Sequence, residues 1–215
     1  MTPDDVTLAV IAKAPVPGRV KTRLCPPCTH EQAAAIAEAA LRDTLDALRA
    51  TPAGRHAVVL DGQRPDWIGD DLHVLAQRGD GLDERLAAAL SDLGGPTVII
   101  GMDTPQVTAD GLDRVVGALC RPDVDAVLGP ANDGGYWVIG LRTPDPAALL
   151  GVPMSEAHTG AEQLRRLERL GLRTAVVDEL TDLDTFDEAV AVAAVATGRR
   201  FPVAVREVLA SLSLQ

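Results

Sequence analysis

The two lysines of this chain, Lys13 and Lys21, fall in one short segment together with Arg19 and Arg23. The chain has 20 Lys and Arg residues, and every one of them outside this segment is an arginine. Lysine is a compact point charge and arginine a planar fork, so the two are not equivalent where phosphate oxygens must be held closely. We interpret the segment as a loop that binds a polyphosphate. The alternative is a solvated basic loop in an arginine-rich chain.

The spacing within this cationic loop excludes two common phosphate-binding motifs. The loop has neither the G-x-x-x-x-G-K-[ST] spacing of a P-loop nor the G-x-G-x-x-G spacing of a dinucleotide-binding turn. P-loop hydrolysis and nicotinamide binding are therefore not supported. Pro17 and Gly18 instead stiffen and turn the chain, which would place the cationic side chains around one ligand.

Acidic residues follow two apolar stretches. Asp103 comes after the apolar run of residues 97–100, and Asp182 and Asp184 precede a helical pattern. Magnesium takes one or two protein carboxylates and fills its remaining positions with water and phosphate oxygens, so Asp103 and Asp184 are candidate ligands, with Asp182 ranked lower. The alternatives are local: Asp103 can cap the next turn, and Asp184 can be the N-cap of its helix.

Consecutive glycines mark a second loop. Gly134 and Gly135 stand between Asp133 and the only tyrosine of the chain, Tyr136. This pattern predicts a loop whose backbone approaches a ligand closely. An Asp-Gly pair is also a strong hairpin signal, and the two interpretations are compatible.

A third loop precedes an amphipathic helix pattern. Gln77 and Gly79 can read the edge of a base, and Arg85, one turn into the helix, can reach a phosphate. A charged loop without a ligand is an equally good interpretation of the same residues.

Composition limits the classes of partner. The formal net charge of −11 argues against nucleic acid, although one local cationic cluster can still attract a small anion. Residues 1–5 lack the basic and apolar regions of a signal peptide, and no apolar run is long enough to span a bilayer. We therefore expect a cytoplasmic protein without a membrane partner. Cys25, Cys28 and Cys120 lack zinc-binding spacing and are expected to be free thiols.

Strand and helix patterns alternate along the chain, which predicts an α/β fold with a mostly parallel sheet covered on both faces. The predicted strands are residues 6–12, 56–60, 72–76, 97–100, 125–128, 137–141 and 174–177, and the predicted helices are residues 33–48, 82–93, 109–119, 160–170, 186–196 and 203–212. Three of these helices are predicted to begin at a threonine: Thr29, which has capping-box spacing to Gln32, Thr108 and Thr185. We predict one domain over residues 1–215. Ligands of such folds lie beyond the carboxyl ends of the strands, here the loops after residues 12, 76, 101 and 177.

The segments 13–24, 101–105, 129–137 and 182–185 together resemble a family of uncharacterised GT-A-like transferases. This family is labelled radical-SAM/selenodomain-associated transferase or arsenosugar-biosynthesis glycosyltransferase. It is similar to the guanylyltransferases for 2-phospho-lactate and for molybdenum cofactor. The resemblance covers residues 6 to 191 approximately and implies a Rossmann-like, three-layer nucleotide-diphospho-sugar transferase (GT-A) fold.

By this resemblance, the cationic loop cradles nucleotide phosphates, Asp103 binds Mg²⁺ or Mn²⁺, and the Asp-Gly-Gly-Tyr loop faces the acceptor. Spacing and resemblance together give the following candidates: Lys13, Lys21 and Arg23 as catalytic; Ala12, Pro17, Gly18, Arg19, Gln77, Gly79 and Arg85 as nucleotide-binding; Asp103 and Asp184 as metal-binding; Asp133, Gly134, Gly135 and Tyr136 as acceptor-binding.

These candidates favour metal-dependent nucleotidyl transfer. A small anionic acceptor would attack the α-phosphorus of a nucleoside triphosphate, and pyrophosphate would leave. Four cations suit a triphosphate better than a diphosphate. Glycosyl transfer from a nucleotide sugar is one alternative, and a nucleotide-binding protein without turnover is another. The sequence leaves open the base, the acceptor and whether the chain forms a homodimer.

Overall fold

The computed structural model describes residues 1–213 of the chain. Its strands, numbered in chain order, are β1 (Thr7–Lys13), β2 (Arg55–Asp61), β3 (His73–Ala76), β4 (Thr97–Gly101), β5 (Ala126–Pro130), β6 (Tyr136–Leu141) and β7 (Thr174–Val176). They form one sheet of seven strands in the order β3-β2-β1-β4-β6-β5-β7. The central strands β1 and β4 are the continuous apolar runs of the sequence, as expected for strands that are covered on both faces.

The sheet is mostly parallel. β1 pairs in parallel with β2 and β4, β2 with β3, and β5 with β7. β6 runs antiparallel to both of its neighbours, β4 and β5. Six strands therefore point the same way, and their carboxyl ends meet at one edge of the sheet, where the loops with the candidate residues begin.

Helices cover both faces of this sheet. They are α1 (His30–Ala50), α2 (Leu82–Leu93), α3 (Ala109–Cys120), α4 (Thr159–Arg169), α5 (Phe186–Val195) and α6 (Phe201–Leu212). Leu8 and Val10 of β1 pack with buried residues of α1 and α3, whereas Ala9 faces a cluster that includes residues of α2 and α4. A third cluster joins α1 to α5 and α6 around Phe201. The three-layer prediction is confirmed.

Every predicted strand and helix is present, with ends that shift by a few residues. α1 begins at His30, directly after its predicted N-cap Thr29, because Thr29 and Gln32 form the reciprocal capping box that their spacing predicts. Thr108 and Thr185 are also N-caps, as predicted. None of the helices within residues 1–213 is long and apolar enough to cross a membrane.

One buried carboxylate attaches α6 to α1. The side chain of Asp43, on α1, is 3% exposed, and its Oδ2 accepts hydrogen bonds from the backbone N–H groups of Arg200 and Phe201, both at 2.9 Å. These N–H groups lie at the start of α6, where the helix provides no internal acceptor. The exposed Asp46 pairs with the same arginine side chain at 2.5 Å.

We expect Asp43→Ala to lower the free energy of unfolding by about 3 kcal/mol, because it leaves buried donors of α6 unpaired. Asp46→Ala is the matched control, and the loss of an exposed ion pair should cost at most about 1 kcal/mol. Urea unfolding of both variants measures the difference. Equal losses for the two variants would contradict the assignment of Asp43 as the attachment point of α6.

Candidate active site

A cavity of ≈ 800 Å³ lies at the carboxyl edge of the parallel strands. Its wall contains residues from the loops after β1, β3 and β4, from the β5–β6 loop, and from the segment between β7 and α5. The prediction that these loops converge is confirmed. The residues that bring acidic groups to the wall are Asp80, Asp103, Asp133, Glu156, Asp182 and Asp184.

Lys21 connects three of the converging segments. Its ammonium lies 2.9 Å from Oδ1 of Asp103 and 3.5 Å from Oδ1 of Asp184, and it donates a hydrogen bond to the carbonyl of Leu183. The side chain of Lys21 is only 8% exposed. The cationic loop and the carboxylate at the end of β4 therefore share one pocket. Asp103 contributes its carboxylate to an ion pair with Lys21, which disfavours the interpretation of this residue as a local turn cap.

Three carboxylates, including that of Asp184, form a cluster beside this lysine. Asp133, Asp182 and Asp184 each offer an oxygen, and these oxygens lie within 4.8 Å of one another. Asp184 is thus shared between the cluster and the ion pair with Lys21. The alternative that Asp184 is the N-cap of α5 is wrong, because Thr185 occupies that position and accepts from the N–H of Glu188.

The electrostatics of the pocket show an excess of negative charge. Burial, followed by repulsion from Asp103, raises the pKa of Asp182 to about 7. For Lys21, burial acts to lower the pKa, but attraction to Asp103, Asp182 and Asp184 outweighs it, and the pKa lies above its ordinary value. The ammonium of Lys21 alone is thus not sufficient to compensate the charge of these partly buried and exposed carboxylates. A set of oxygen donors with uncompensated charge suits a hard divalent cation.

The cations of the loop divide into two groups by their partners. Arg23 is mostly exposed, but its guanidinium pairs with Oδ2 of Asp184 at 2.7 Å. Like Lys21, it therefore has a carboxylate partner in the site. Lys13 and Arg19 are exposed on the cavity wall, and within residues 1–213 neither has a carboxylate within 4.0 Å. These two side chains are available to an anionic ligand in the cavity.

Proline and glycine shape the cationic loop from outside the cavity wall. Pro17 and Gly18 are absent from the lining, and Gly18 adopts a φ of +74°, which favours glycine. Ala12 does line the cavity, and its carbonyl accepts a hydrogen bond of 2.8 Å from the side chain of Gln77.

The residues predicted to read a base make several hydrogen bonds within the protein itself. The amide nitrogen of Gln77 donates to the carbonyls of Ala12 and Val59, and its side-chain oxygen lies 3.5 Å from the guanidinium of Arg85. Arg85 lines the cavity, donates to the carbonyl of Gly79 at 3.1 Å and lies 3.3 Å from Asp61. Gly79 does not line the cavity. Its contact with Arg85 is the hydrogen bond to its carbonyl, which holds the loop in place.

The Asp-Gly-Gly-Tyr loop is both a hairpin and part of the cavity wall. It joins β5 to β6, and Asp133 accepts from the N–H of Gly135 at 2.8 Å. Gly134, with a φ of +89°, lies outside the lining, and a Cβ there would stand 1.9 Å from the carbonyl oxygen of Ala157. Burial raises the pKa of Tyr136, whose hydroxyl donates to Gln163 at 3.3 Å.

Sequence reasoning gave too little weight to several cavity residues. Asp182 ranked below Asp184, although it is the carboxylate with the raised pKa of about 7. Thr104, buried beside Asp103, was not considered, and its hydroxyl has no hydrogen-bond partner within residues 1–213. The cavity is also lined by residues 154–157 and Thr159, which are not among the predicted site residues. A polar residue next to a candidate ligand was the only signal in the sequence for Thr104.

Comparison with protein families gives one family match. A model of the family described as "Uncharacterized protein conserved in bacteria (DUF2064)" matches residues 36–156. The 2-phospho-L-lactate guanylyltransferase of Methanocorpusculum labreanum is 32% identical over 171 residues, which cover 78% of this chain and 74% of that protein. The protein of the same name from Halobacterium salinarum is 33% identical over 109 residues, 50% of this chain and 47% of that protein. The match to the latter thus spans about half the length of the relative.

Solved structures share the fold. A candidate nucleotide-diphospho-sugar transferase from Desulfovibrio desulfuricans G20 superposes with a TM-score of 0.83 at 24% identity, covering 97% of this chain and 99% of that chain. A Mycobacterium tuberculosis H37Rv protein in complex with manganese has a TM-score of 0.56 at 22% identity, covering 87% of this chain and 97% of that chain. The GT-A fold predicted from the sequence is confirmed.

The charge of the carboxylate cluster predicts a pH-dependent effect of Asp182→Asn on stability. With a pKa of about 7, Asp182 is ionised in the folded protein at pH 8, where the neutral amide removes the desolvation cost of its charge and the repulsion from Asp103. We expect the variant to be more stable than the original chain at pH 8 by about 2 kcal/mol. At pH 5 the carboxyl is protonated in the folded state but still ionised in the unfolded state, so the gain should persist at about half its value at pH 8.

Urea unfolding in the presence of EDTA at both pH values measures this effect. Asp66→Asn, at an exposed position outside the cavity, is the matched control and should change stability little at either pH. A variant Asp182→Asn that is less stable than the original chain at pH 8 would show that the carboxylate has a favourable structural role instead.

Proposed function

Because this chain belongs to the DUF2064 family and is homologous to 2-phospho-L-lactate guanylyltransferases, we propose that it is a metal-dependent nucleotidyltransferase. It transfers a nucleotidyl group from a nucleoside triphosphate to a small anionic acceptor, with release of pyrophosphate. One observation carries the proposal: two cations that have no carboxylate partner within residues 1–213 line the same cavity as a cluster of carboxylates. We propose that the chain acts as one domain.

Lys13 and Arg19 bind the phosphates in this proposal. Both lie on the cavity wall, and neither is neutralised by a carboxylate within residues 1–213. A lysine and an arginine that face a cavity can neutralise a phosphate chain and stabilise the charge that develops on leaving pyrophosphate. Lys21 and Arg23, assigned with them from the sequence, are engaged by Asp103 and Asp184 and act on the acidic side of the site.

Asp133, Asp182 and Asp184 hold a divalent cation, Mg²⁺ or Mn²⁺. The donor set fits this role, because three carboxylate oxygens lie within 4.8 Å of one another and the pKa of Asp182 is raised by burial and by repulsion from Asp103, which outweigh the attraction of Lys21. Asp103 contributes through its ion pair with Lys21. When bound, the ion neutralises phosphate oxygens and orients them for displacement. The M. tuberculosis structure with manganese supports a divalent ion in this fold.

The reaction proposed for these residues needs no general base. An oxygen of a phosphorylated or carboxylate acceptor is already ionised, so it attacks the α-phosphorus without losing a proton. The new bond joins this oxygen to the α-phosphorus, and the bond from the α-phosphorus to the bridging oxygen breaks. The protein therefore contributes positioning and charge. The face of the cavity formed by Gly135 and Tyr136 is the proposed acceptor side.

Product analysis tests the proposal. The purified protein is incubated with each of the four nucleoside triphosphates and Mg²⁺ or Mn²⁺, with GTP first because of the names of the relatives. A set of small phosphorylated and carboxylate compounds serves as acceptors. Release of pyrophosphate, abolished by EDTA, supports nucleotidyl transfer. Release of a nucleoside diphosphate from a nucleotide sugar identifies the alternative, glycosyl transfer. Nucleotide-induced thermal stabilisation without any product identifies a binding protein without turnover.

We expect Lys13→Ala to lower kcat/KM for the triphosphate about 100-fold, as for the loss of one charge-stabilising donor. Arg78→Ala is the matched control, since Arg78 is exposed, pairs with Asp92 and does not line the cavity. Pyrophosphate release at saturating and subsaturating triphosphate measures both variants. A Lys13→Ala protein with the rate of the Arg78→Ala protein would remove the cationic loop from the proposed mechanism.

A further inference from the structure

The ammonium of Lys21 is held by carboxylates that line the cavity with it. Its three contacts are Asp103, Asp184 and the carbonyl of Leu183, and its side chain is 8% exposed. A lysine that bound phosphate in an otherwise free pocket would have a mobile, hydrated side chain. The ammonium of Lys21 is instead fixed in position by these three contacts.

The backbone on both sides of Lys21 fixes this position. Lys21 adopts a left-handed conformation with a φ of 48°, and its carbonyl accepts the N–H of Leu24 at 3.0 Å, which closes the turn at Thr22–Leu24. Leu24 is fully buried in the cluster beneath α1 and α5. On the acidic side, the N–H of Leu183 donates to the carbonyl of Asp103 at 2.9 Å. Both partners of the ion pairs are thus anchored by buried contacts.

The charges around this ammonium leave room for one divalent ion. The site contains four carboxylates and two cationic side chains in contact with them: Asp103, Asp133, Asp182 and Asp184, with Lys21 and Arg23. When all four carboxylates are ionised, their four negative charges against two positive charges leave two negative charges, which one divalent ion balances. A second divalent ion would leave the site with an excess of two positive charges.

The pocket has a further polar group that requires a ligand. Thr104 follows Asp103 on the cavity wall and is 1% exposed, and its hydroxyl has no hydrogen-bond partner within residues 1–213. An unpaired buried hydroxyl costs about 1–3 kcal/mol, so such a group is expected to bind a component that enters the site. This observation is independent of the carboxylates.

We propose that Lys21 is a fixed cation that takes the place of a second metal ion between Asp103 and Asp184, so that the site binds one divalent ion per chain. Two-metal sites place two cations on the attacking and leaving oxygens of a displacement at phosphorus. Here the ammonium supplies one of the two charges, and the cluster of Asp133, Asp182 and Asp184 binds the single ion. The inference rests on the proposed function, because it concerns the metal of that reaction.

The test is the number of Mn²⁺ ions bound per chain, measured by electron paramagnetic resonance of free Mn²⁺ without nucleotide or acceptor. We expect one ion for the original chain and two for Lys21→Met, because removal of the ammonium frees the position between Asp103 and Asp184. Lys21→Gln is a second neutral variant whose amide can still donate to the Leu183 carbonyl. Lys21→Arg keeps the charge and should bind one ion. Thermal melting confirms that each variant is folded.

The possible results separate this inference from the function on which it rests. Two ions for the original chain, or one ion for both the original chain and the neutral variants, would overturn the role of Lys21 and leave the metal-dependent reaction intact. No Mn²⁺ on the original chain, with or without GTP, would remove the metal from the proposed function and this inference with it. An increase from one ion to two in either neutral variant supports the inference.

Discussion

The ion pairs of Lys21 hold the site together, since they join segments that are far apart in the chain. Lys21 lies in the loop after β1, Asp103 at the end of β4, and Asp184 just before α5. No local interaction would bring these three segments to one place. A buried ion pair is not in itself a large source of stability, because desolvation of the charges offsets most of their attraction. The ion pairs of Lys21 instead fix the relative positions of the three segments, because a mostly buried ammonium with several anionic partners has few alternative arrangements.

Hydrogen bonds to the segment between β7 and α5 also hold the ion-paired residues in position. The side chain of Gln106 donates to the carbonyl of Thr181 at 2.7 Å, and the indole of Trp137 donates to the carbonyl of Asp178 at 2.9 Å. Asn132 accepts from the N–H of Asp182 at 3.0 Å. The irregular segment between β7 and α5 is thus fixed to the sheet edge by partners on both sides. Because its backbone is fixed, the carboxylates that it carries are held near one another despite their mutual repulsion.

The sequence predicts the fold well for a simple physical reason. Strands covered on both faces must be apolar throughout, and helix starts require capping groups, so residues such as Thr29 and Thr185 mark element ends locally. The convergence of the loops follows in turn from the parallel sheet. The partners within the site do not follow from local patterns: Lys21 contacts residues more than 80 positions away, and the pattern alone cannot separate its role from that of Lys13.

Burial separates the cations of the loop where residue type does not. Lys13 and Lys21 carry the same charge, but one is exposed on the cavity wall and the other is 8% exposed among carboxylates. At physiological salt, exposed charges more than about 8 Å apart are largely screened, so the net charge of −11 has little influence inside the cavity. The cavity itself has a local asymmetry of charge, because it is lined both by the carboxylates and by two cations that have no carboxylate partner within residues 1–213. An acidic protein can therefore bind a polyphosphate, provided that its few free cations are kept away from its many acids.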